Sequence, residues 1–443
     1  MTQTETTLRN PKIAIIGAGG VVFPLRLMGD LLSFPALQGA HYALMDLDLG
    51  RAQHTADEAS ELIQAHGFSA TVEATTDRRA ALSGADYVIV TFMVGGMDVY
   101  RHDMEIPRKY GVDQRIGDTL GPGGVFRFLR NVPPLAAIAA DMHQVCPDAL
   151  LINYANPMAM NIWYLSALGI DTVGLCHSVQ GTSRMLAEFA GVDYDNVVFR
   201  CGGINHQAWF TEFRDGRRDL YPTLREVLND KYINQNIRDR GTWGGERVRT
   251  TIMNAFGFFH TESSPHASEY LPYFRKNDEL IDHFEPLRWD FEEVRSRNAE
   301  RQRDRTLIES LLAELKPSLE YGAWIVNAME TGTPTVIYGN VMNDGLIDNL
   351  SPDACVEVAC LVDRNGIQPT HFGTLPPQCA AVNETNINVQ RLAVLAALEG
   401  RKDHVYHAVM LDPLTAAVCT LDQIRAMVDE LIAANEGWLP ELN

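Results

Sequence analysis

The sequence predicts an α/β protein with a doubly wound parallel sheet followed by a second, mixed α/β domain. Three observations support this prediction. Short apolar runs alternate with helix-like stretches over the first 200 residues, which is typical of parallel strands joined by helical crossovers. A glycine-rich turn follows the first of these runs. At 443 residues the chain is long for a single core, which favours two domains.

Five apolar runs predict the strands of the first domain, and they lie at residues 12–16, 41–45, 86–91, 149–153 and 171–175. Helix-like stretches lie between them, from about 21 to 34, at 50–66 and at 124–144. Such alternation indicates right-handed crossovers over a parallel sheet. We therefore expect the first domain to span residues 1–200.

The pattern changes after residue 200. An Asp215-Gly216 turn between two extended pieces of 207–221 predicts a hairpin. We expect an extended region at 334–365, an exposed and highly charged helix at 289–316, and further helices near 222–230, 245–256, 386–400 and 414–436. Together these features predict a second, mixed α/β domain over residues 201–443 that packs on the first.

Composition excludes several classes of partner. The formal net charge of -20 argues against nucleic acid and anionic membranes, because both attract a basic face. No apolar run approaches the ~18 residues of a membrane helix, and the polar start MTQTETTLRN does not resemble a signal peptide. We therefore expect a cytoplasmic protein. Seven scattered cysteines without a CxxC pair favour neither a disulfide framework nor a structural zinc site.

The first predicted strand ends in Gly17-Ala18-Gly19-Gly20 and leads into a helix, as in dinucleotide-binding sites. Gly17 allows the tight turn, Gly19 lets a pyrophosphate approach the backbone, and the helix N-terminus attracts the anion. The third glycine of the motif would fall at Val22, so the motif is incomplete, and a glycine-rich turn can also be a plain loop. The strand before it and the helix after it favour a Rossmann-like dinucleotide site.

Asp46 ends the second predicted strand, where an acidic residue can bind a ribose 2′-hydroxyl. It lies farther from Gly20 than the usual spacing of about 20 residues, and a role as helix N-cap or turn residue is the alternative. A carboxylate here disfavours a 2′-phosphate, so we expect NAD rather than NADP. The predicted cofactor contacts are Gly17, Gly19, Gly20, Asp46 and Thr91.

The stretch GLCHSV places Cys176 and His177 side by side at the end of a predicted strand. Adjacent strand residues point to opposite faces, so the two side chains do not easily bind one metal ion. A cysteine nucleophile with a histidine base is a second interpretation, but adjacency in sequence does not activate a thiol. A metal site would need a distant partner, and His206 between flanking glycines is the best candidate. The alternative is a buried core cysteine.

Two polar clusters could also carry chemistry. One is the segment 261–270, which ends in Tyr270, and the other is the glycine-rich loop 116–124, which carries Asp118. Each has a plainer interpretation. The first could be a surface loop ending in a helix N-cap at Ser263 or Ser264, and the second could be a connector.

Several motifs occur together along nearly the whole chain: Gly17-Ala18-Gly19, Gly117-Asp118-Thr119, Asn153-Tyr154-Ala155-Asn156-Pro157, Cys176-His177-Ser178-Val179, Gly203-Ile204-Asn205-His206 and the stretch from Glu262 to Tyr270. In this order they resemble glycoside hydrolase family 4, the NAD- and metal-dependent glycosidases, and most of all its α-galactosidase branch. In this family CHSV accompanies α-galactosidases, whereas 6-phospho-glycosidases carry an asparagine after the cysteine. His177 therefore argues for an unphosphorylated sugar.

The resemblance implies hydrolysis by oxidation, elimination, addition and reduction, outside the usual two-carboxylate scheme. NAD takes hydride from C3 of the sugar, which acidifies the C2 proton. A protein base removes that proton while a divalent metal stabilises the negative charge, and a general acid assists departure of the glycosidic oxygen. Water then adds, and the same NADH returns the hydride.

The resemblance also assigns roles to residues. Cys176 and His206 are expected to hold a divalent ion, with manganese the expected metal. Tyr270 is the expected C2 base, and its ordinary pKa of about 10 would require a nearby cation. Asp118 is the expected general acid. The expected substrate-hydroxyl binders are Asn153 and His177.

Other functions stay open. Within the family, an α-glucosidase or α-uronidase is the alternative to an enzyme whose small-molecule partner is an α-galactoside. From another class, an NAD-dependent 2-hydroxy-acid dehydrogenase shares the predicted lactate/malate dehydrogenase-like fold, but it would accumulate NADH and needs no cysteine-containing metal site. A non-enzymatic NAD-binding sensor would not explain the two polar clusters, in the loop 116–124 and the segment 261–270. The resemblance further suggests a homodimer or homotetramer.

Overall fold

One sheet runs through both halves of the chain. The computed structural model describes residues 9–20, 23–235, 245–284 and 287–443. Within these residues the sheet has thirteen strands: β1 Lys12–Ile16, β2 His41–Met45, β3 Thr71–Thr75, β4 Tyr87–Val90, β5 Leu150–Asn153, β6 Thr172–Leu175, β7 Val197–Ile204, β8 Gln207–Asp215, β9 Arg218–Asp219, β10 Phe259–His260, β11 Thr335–Met342, β12 Cys355–Asp363 and β13 Gly366–Pro369.

The first half of the sheet is parallel and has the order β3-β2-β1-β4-β5-β6. This order reverses direction between β1 and β4, which is the switch point where doubly wound folds bind their ligands. Strands β1, β2, β4 and β5 are almost fully buried, as expected for strands that helices cover on both faces. The predicted fold class is confirmed.

The second half continues the same sheet with antiparallel strands. β11 pairs with β6, and β12, β7, β8 and β10 follow in that order. The hairpin predicted at Asp215-Gly216 is confirmed by the short pairing of β8 with β9. The predicted division of the chain at residue 200 falls inside β7, and the two-domain boundary stays a prediction.

Helices cover this sheet: α1 Phe23–Leu32, α2 Leu49–His66, α3 Arg78–Leu82, α4 Gly96–Lys109, α5 Gly121–Val145, α6 Met158–Ala167, α7 Ser178–Ala190, α8 Tyr221–Leu228, α9 Arg247–Phe256, α10 Ser264–Tyr270, α11 Asp278–Phe284, α12 Phe291–Arg303, α13 Thr306–Ala313, α14 Tyr321–Thr331, α15 Pro377–Glu399, α16 Lys402–Leu411, α17 Pro413–Val418 and α18 Leu421–Ala434. Among the described residues, none of these helices is both long and apolar enough to cross a bilayer. Val22 lies outside the described residues.

Three expectations about elements need correction. The charged segment 289–316 is two helices, α12 and α13, instead of one exposed helix. α13 buries Ile308 and Leu311, and a Cβ on Gly29 would come within 2.7 Å of the Leu311 side chain. β3 was missed because its TVEAT sequence is half exposed at the edge of the sheet. β7 was missed: its first half, residues 197–200, is partly exposed, and its second half contains two glycines.

Glu357 is an unusual residue for the middle of this sheet. It lies on β12, where it pairs with Asn340 of β11 on one side and with Gly203 of β7 on the other. Asn340 in turn pairs with Gly174 of β6. Its side chain is fully buried, and among the described residues neither carboxylate oxygen makes a hydrogen bond of ordinary geometry; the nearby Asn340 side chain favours the ionised form, but burial outweighs it. Burial raises the pKa of Glu357 to about 8, so the folded chain holds this carboxyl neutral.

We expect E357Q to remove a pH dependence of stability. Between the ordinary pKa of 4.5 and a folded pKa of about 8, the unfolded chain loses this proton while the folded chain keeps it. The wild-type free energy of unfolding should therefore fall as pH rises from 5 to 8, by at most about 1.4 kcal/mol per pH unit from this group. Denaturant titrations without added metal should show a flatter profile for E357Q.

The matched control is E279Q, at an exposed carboxylate on α11. Its profile should follow that of the wild type. A wild-type slope that E357Q leaves unchanged would show that Glu357 is ionised in the folded chain.

Candidate active site

The glycine turn after β1 is held against its neighbours by backbone contacts. Gly17 has a φ of +92°, and a Cβ there would lie 2.8 Å from the Phe92 backbone. A Cβ on Gly19 would lie 2.7 Å from Asp46 Oδ2. The N–H groups of Gly17 and Ala18 both donate to Met45 O, at 2.9 and 3.0 Å. Side chains at Gly17 and Gly19 would therefore collide with Phe92 and Asp46, which explains why both positions are glycine.

Asp46 and Thr91, two of the predicted cofactor-binding residues, both contact this turn. Asp46 Oδ2 accepts from Gly19 N at 2.9 Å, and Thr91 Oγ1 donates to Gly17 O at 3.1 Å. The alternative role considered for Asp46, that of helix N-cap, is filled by Asp48. Its side chain accepts hydrogen bonds from the Gly50 and Arg51 N–H groups at the start of α2. Glycines without room for side chains, with a carboxylate at the end of β2, fit a dinucleotide.

Cys176 and His206 come together from distant parts of the chain. Cys176 follows β6, and His206 lies in the tight turn between β7 and β8 with a φ of +63°. Cys176 Sγ is 3.3 Å from His206 Nε2. For zinc, bonds of about 2.3 Å to sulfur and 2.0 Å to nitrogen place two such ligand atoms roughly 3.1–3.5 Å apart. The spacing therefore suits two ligands of one ion.

The ionisation of this pair also bears on metal binding. Burial, with the His266 ring close by, lowers the pKa of His206 to about 4, so its imidazole is neutral and can offer a lone pair. Burial and the nearby carboxylates of Glu357 and Glu262 raise the pKa of the Cys176 thiol. In the described ranges no group of three or more His, Cys, Asp or Glu side chains is arranged to hold a metal. An ion bound here would take its remaining ligands from substrate or water.

A chain of hydrogen bonds links His206 to Tyr270. His206 Nδ1 is 2.7 Å from His266 Nε2, which is also 2.9 Å from Thr119 Oγ1. The Tyr270 hydroxyl donates to the same Thr119 Oγ1 at 2.9 Å. His266 and Tyr270 lie four residues apart on α10 and so share a face of that helix. Sequence reasoning named Tyr270 but missed His266 and Thr119 as its partners.

Asp118 lies beside Thr119 in the loop before α5. Its Oδ2 accepts from Asn156 Nδ2 at 2.9 Å. Its Oδ1 is buried and, within the part of the chain that the structure describes, has no hydrogen-bond partner. The structure therefore brings Asp118 to the same cluster as Tyr270, through the adjacent residue Thr119. Asn156 belongs to the motif of residues 153–157, but the sequence alone gave it no role.

Glu269 fixes the loop that carries Asp118. Its carboxylate is buried and accepts backbone N–H groups from three successive residues: Arg115 at 2.5 Å, Ile116 at 2.8 Å and Gly117 at 2.9 Å. Because Glu269 directly precedes Tyr270, one carboxylate ties the Asp118 loop to the helix that carries the tyrosine. No sequence pattern identified this contact, since it joins segments more than 150 residues apart.

The two predicted substrate-binding residues differ in their surroundings. The Asn153 side chain is fully buried. Its Nδ2 donates to Ala155 O at 2.9 Å, and its Oδ1 accepts from Ala155 N at 3.2 Å. It thereby shapes the turn that leads to Asn156, and its contact with substrate stays a prediction. His177 is half exposed, with Nδ1 3.6 Å from Glu320 Oε1. It lines a small cavity together with Glu262 and other residues.

Glu262 is a further ionisable residue of this cavity that sequence reasoning left without a role. It has a φ of +73°, which is uncommon for a residue with a side chain. Burial raises the pKa of Glu262, but the nearby His206 and His266 and the Ser263 N–H lower it more, and the result is about 2. The carboxylate therefore stays ionised beside the histidines.

The fold and these side chains define an α/β enzyme whose ionisable residues gather near the carboxyl end of β6. Comparison with known families then identifies it. Residues 12–192 match the model of the family 4 glycosyl hydrolases, and residues 201–415 match that of the family 4 glycosyl hydrolase C-terminal domain. The chain belongs to glycosyl hydrolase family 4. This membership replaces the dehydrogenase and the non-enzymatic sensor as interpretations of the sequence.

Individual relatives match over nearly the whole chain. It is 41% identical to an alpha-galactosidase of Bacillus subtilis (strain 168), covering 97% of this chain and 99% of the relative. It is 39% identical to an alpha-galactosidase of Rhizobium meliloti (strain 1021), covering 97% and 89%. The structure of a 6-phospho-alpha-glucosidase from gut microorganisms, in complex with NAD and Mn2+, shares the fold with a TM-score of 0.78. It is 22% identical and covers 98% of this chain and 100% of that one.

We expect E269Q to slow glycoside hydrolysis by about 10- to 100-fold in kcat, because a small displacement of a reacting group has effects of this size. A glutamine presents one acceptor oxygen and an NH2 group, and the NH2 would face a backbone N–H of the loop. The displacement should affect Asp118 and Thr119 while KM and metal affinity stay near the wild-type values. Steady-state kinetics together with metal titration test this.

The control is E293Q. Glu293 bonds the exposed side of the same loop through the Arg115 guanidinium, and such surface pairs contribute little. E293Q should keep wild-type kcat. Equal rates for E269Q and E293Q would mean that the carboxylate of Glu269 does not position the loop.

Proposed function

We propose that this enzyme hydrolyses terminal α-galactosides by an NAD-dependent mechanism of oxidation, elimination, addition and reduction, with a divalent cation. The observation that carries the proposal is the approach of Cys176 Sγ to His206 Nε2, 3.3 Å apart, in a cluster that also contains Tyr270 and Asp118. The two alpha-galactosidase relatives support the sugar, and the related structure with NAD and Mn2+ supports the cofactors.

Two sets of residues would hold the cofactors. Cys176 and His206 would bind the cation, for which Mn2+ is our proposal. When bound, NAD supplies a reversible hydride acceptor and the cation a Lewis acid beside the sugar oxygens. The residues that would hold NAD are Gly17, Gly19, Gly20, Asp46 and Thr91.

Tyr270 is the proposed base for the C2 proton. Burial, together with the charges of Asp118, Glu262 and Glu269, raises the pKa of Tyr270 well above its ordinary value, despite the bond to Thr119. The phenol therefore needs a positive neighbour before it can accept a proton near neutral pH. Its ring centroid is 6.4 Å from that of His206, and a cation held by His206 and Cys176 would supply such a charge.

Asp118 is the proposed general acid for the leaving glycosidic oxygen. Asn156 holds its Oδ2, which leaves Oδ1 as the atom to carry and deliver the proton. After the leaving group departs, the same carboxylate can activate the water that adds to C1. His177, and Asn153 if its turn opens, would bind sugar hydroxyls.

The charges of the cavity favour an uncharged sugar. Glu262 lines it as an ionised carboxylate, so a uronate or a phosphate would bring a like charge beside it. Arg249 also lines the cavity, but its guanidinium already makes two 2.6 Å bonds to Glu246. It is therefore less suited to bind a second anion. This argues against the α-uronidase alternative, whereas the choice of galactose over glucose rests on the relatives.

Hydrolysis of nitrophenyl α-galactoside, with NAD, Mn2+ and reductant each omitted in turn, tests the proposal. We expect activity only with all three and no accumulation of NADH. The α-glucoside and the α-galacturonide of nitrophenol serve as competing substrates. Full activity without NAD would contradict the mechanism, and faster turnover of either competing substrate would contradict the assigned sugar.

We expect C176S to lose at least about 100-fold of the Mn2+-dependent rate, since a hydroxyl is a much weaker ligand than a thiolate. NAD affinity, measured by fluorescence titration, should be unchanged because the glycine turn lies elsewhere. C419S is the matched control, because among the described residues the Cys419 thiol hydrogen-bonds to the Tyr110 carbonyl, away from the cluster around Cys176. A C176S enzyme with wild-type Mn2+ dependence would remove Cys176 from the ligand set.

A further inference from the structure

We propose that His266 is a positioning residue that couples the cation site to Tyr270. This inference rests on the proposed function, because it concerns how the cation ligand and the C2 base of that reaction are held together. The geometry behind it is a single ring nitrogen, His266 Nε2, that lies 2.7 Å from His206 Nδ1 and 2.9 Å from Thr119 Oγ1.

The first contact determines which nitrogen of His206 is available to a metal. His206 Nε2 faces Cys176 Sγ, so a cation between them needs the lone pair of Nε2. The proton of the neutral ring must then lie on Nδ1, where it donates to His266 Nε2. Metal-binding histidines usually have such a partner, which fixes the tautomer and the ring orientation. His266 supplies it from a fully buried position.

The backbone shows that the placement of both rings is specific. His206 keeps a left-handed φ of +63° in its turn, a conformation that costs energy for a residue with a side chain. His266 lies in the first turn of α10, where Ser263 caps the helix. The two rings meet nearly at right angles, 82° between planes, with their centroids 4.4 Å apart.

The second contact extends from the same nitrogen to the base. Thr119 Oγ1 accepts the Tyr270 hydroxyl proton at 2.9 Å and lies 2.9 Å from His266 Nε2, so its own proton can share the single lone pair of that nitrogen with the His206 Nδ1–H. The other ring nitrogen, His266 Nδ1, is buried without a partner in the described ranges of the chain. Every hydrogen bond of the ring therefore serves His206 or Thr119. A displacement of the His266 ring would disturb the cation ligand and the base together.

The first experiment measures Mn2+ binding to the NAD-loaded enzyme, with the free Mn2+ signal in electron paramagnetic resonance as the readout. H266F keeps a planar ring but removes the acceptor, and we expect its Mn2+ affinity to fall by about 10- to 100-fold. H266Q places an amide oxygen near the position of Nε2, and it should recover most of the affinity. A purely structural role would not separate these two variants in this way.

The second experiment measures the coupling itself, as exchange of the C2 hydrogen of methyl α-galactoside in D2O by NMR. T119V removes the hydroxyl between Tyr270 and His266, and we expect exchange to slow about tenfold or more with Mn2+ affinity within about twofold of wild type. T119S keeps the hydroxyl and should exchange near the wild-type rate. H266F should exchange slowly even at saturating Mn2+, and H266Q should not.

The outcomes separate this inference from the proposed function. If the wild-type enzyme binds no Mn2+ or exchanges no C2 hydrogen, the proposed function fails. If the wild type does both and H266F binds Mn2+ equally well, His266 does not position His206. If T119V exchanges at the wild-type rate, the link to Tyr270 is absent. Should H266F fail to fold, the H266Q and T119V measurements still decide the inference.

Discussion

The pairing of β11 with β6 is the interaction on which the site depends. It joins the parallel half of the sheet to the antiparallel half through only two residue pairs, Leu175 with Gly339 and Gly174 with Asn340, with a further bond from the Asn340 side chain to Gly174 O. Glycines on both strands allow this close approach. Because β12 and β7 follow β11 in the sheet, the pairing carries the β7–β8 turn to the end of β6. Without it, His206 would not meet the cysteine that follows that strand.

The loops that carry the site residues are held by side chains as well as by the sheet. Parallel strands end in loops at one edge of a sheet, and such loops have few backbone partners of their own. Here buried carboxylates and amides supply them: Glu269 holds the loop before Asp118, and Asn153 holds the turn before Asn156. Asp118, His206 and Tyr270 each also make a hydrogen bond to a side chain of another segment, namely Asn156, His266 and Thr119 respectively.

The sequence predicted what local patterns determine and missed what distant pairing determines. Apart from the half-exposed edge strand β3, the strands of the parallel half and the glycine turn follow from hydrophobic periodicity and local geometry, so the sequence predicted them. The resemblance named Cys176 and His206, and the structure places them together. Glu357 and Glu269 could not be found this way, because a buried carboxylate has no local signature and its role depends on partners more than 100 residues away. Oligomeric state and cellular location stay predictions.

The electrostatics of the site bear on the role that a bound cation would have. Burial and neighbouring carboxylates raise the pKa of both the Cys176 thiol and the Tyr270 phenol. The imidazole beside the thiol, that of His206, is neutral because burial lowers its pKa to about 4. The described residues around this thiol and phenol thus hold both groups protonated, and a thiol or phenol in that state is neither a good ligand nor a base. A divalent cation would reverse this balance for both at once. A single ion would then control whether the thiolate forms and whether the tyrosine can accept a proton, so metal binding and proton abstraction would be parts of one event.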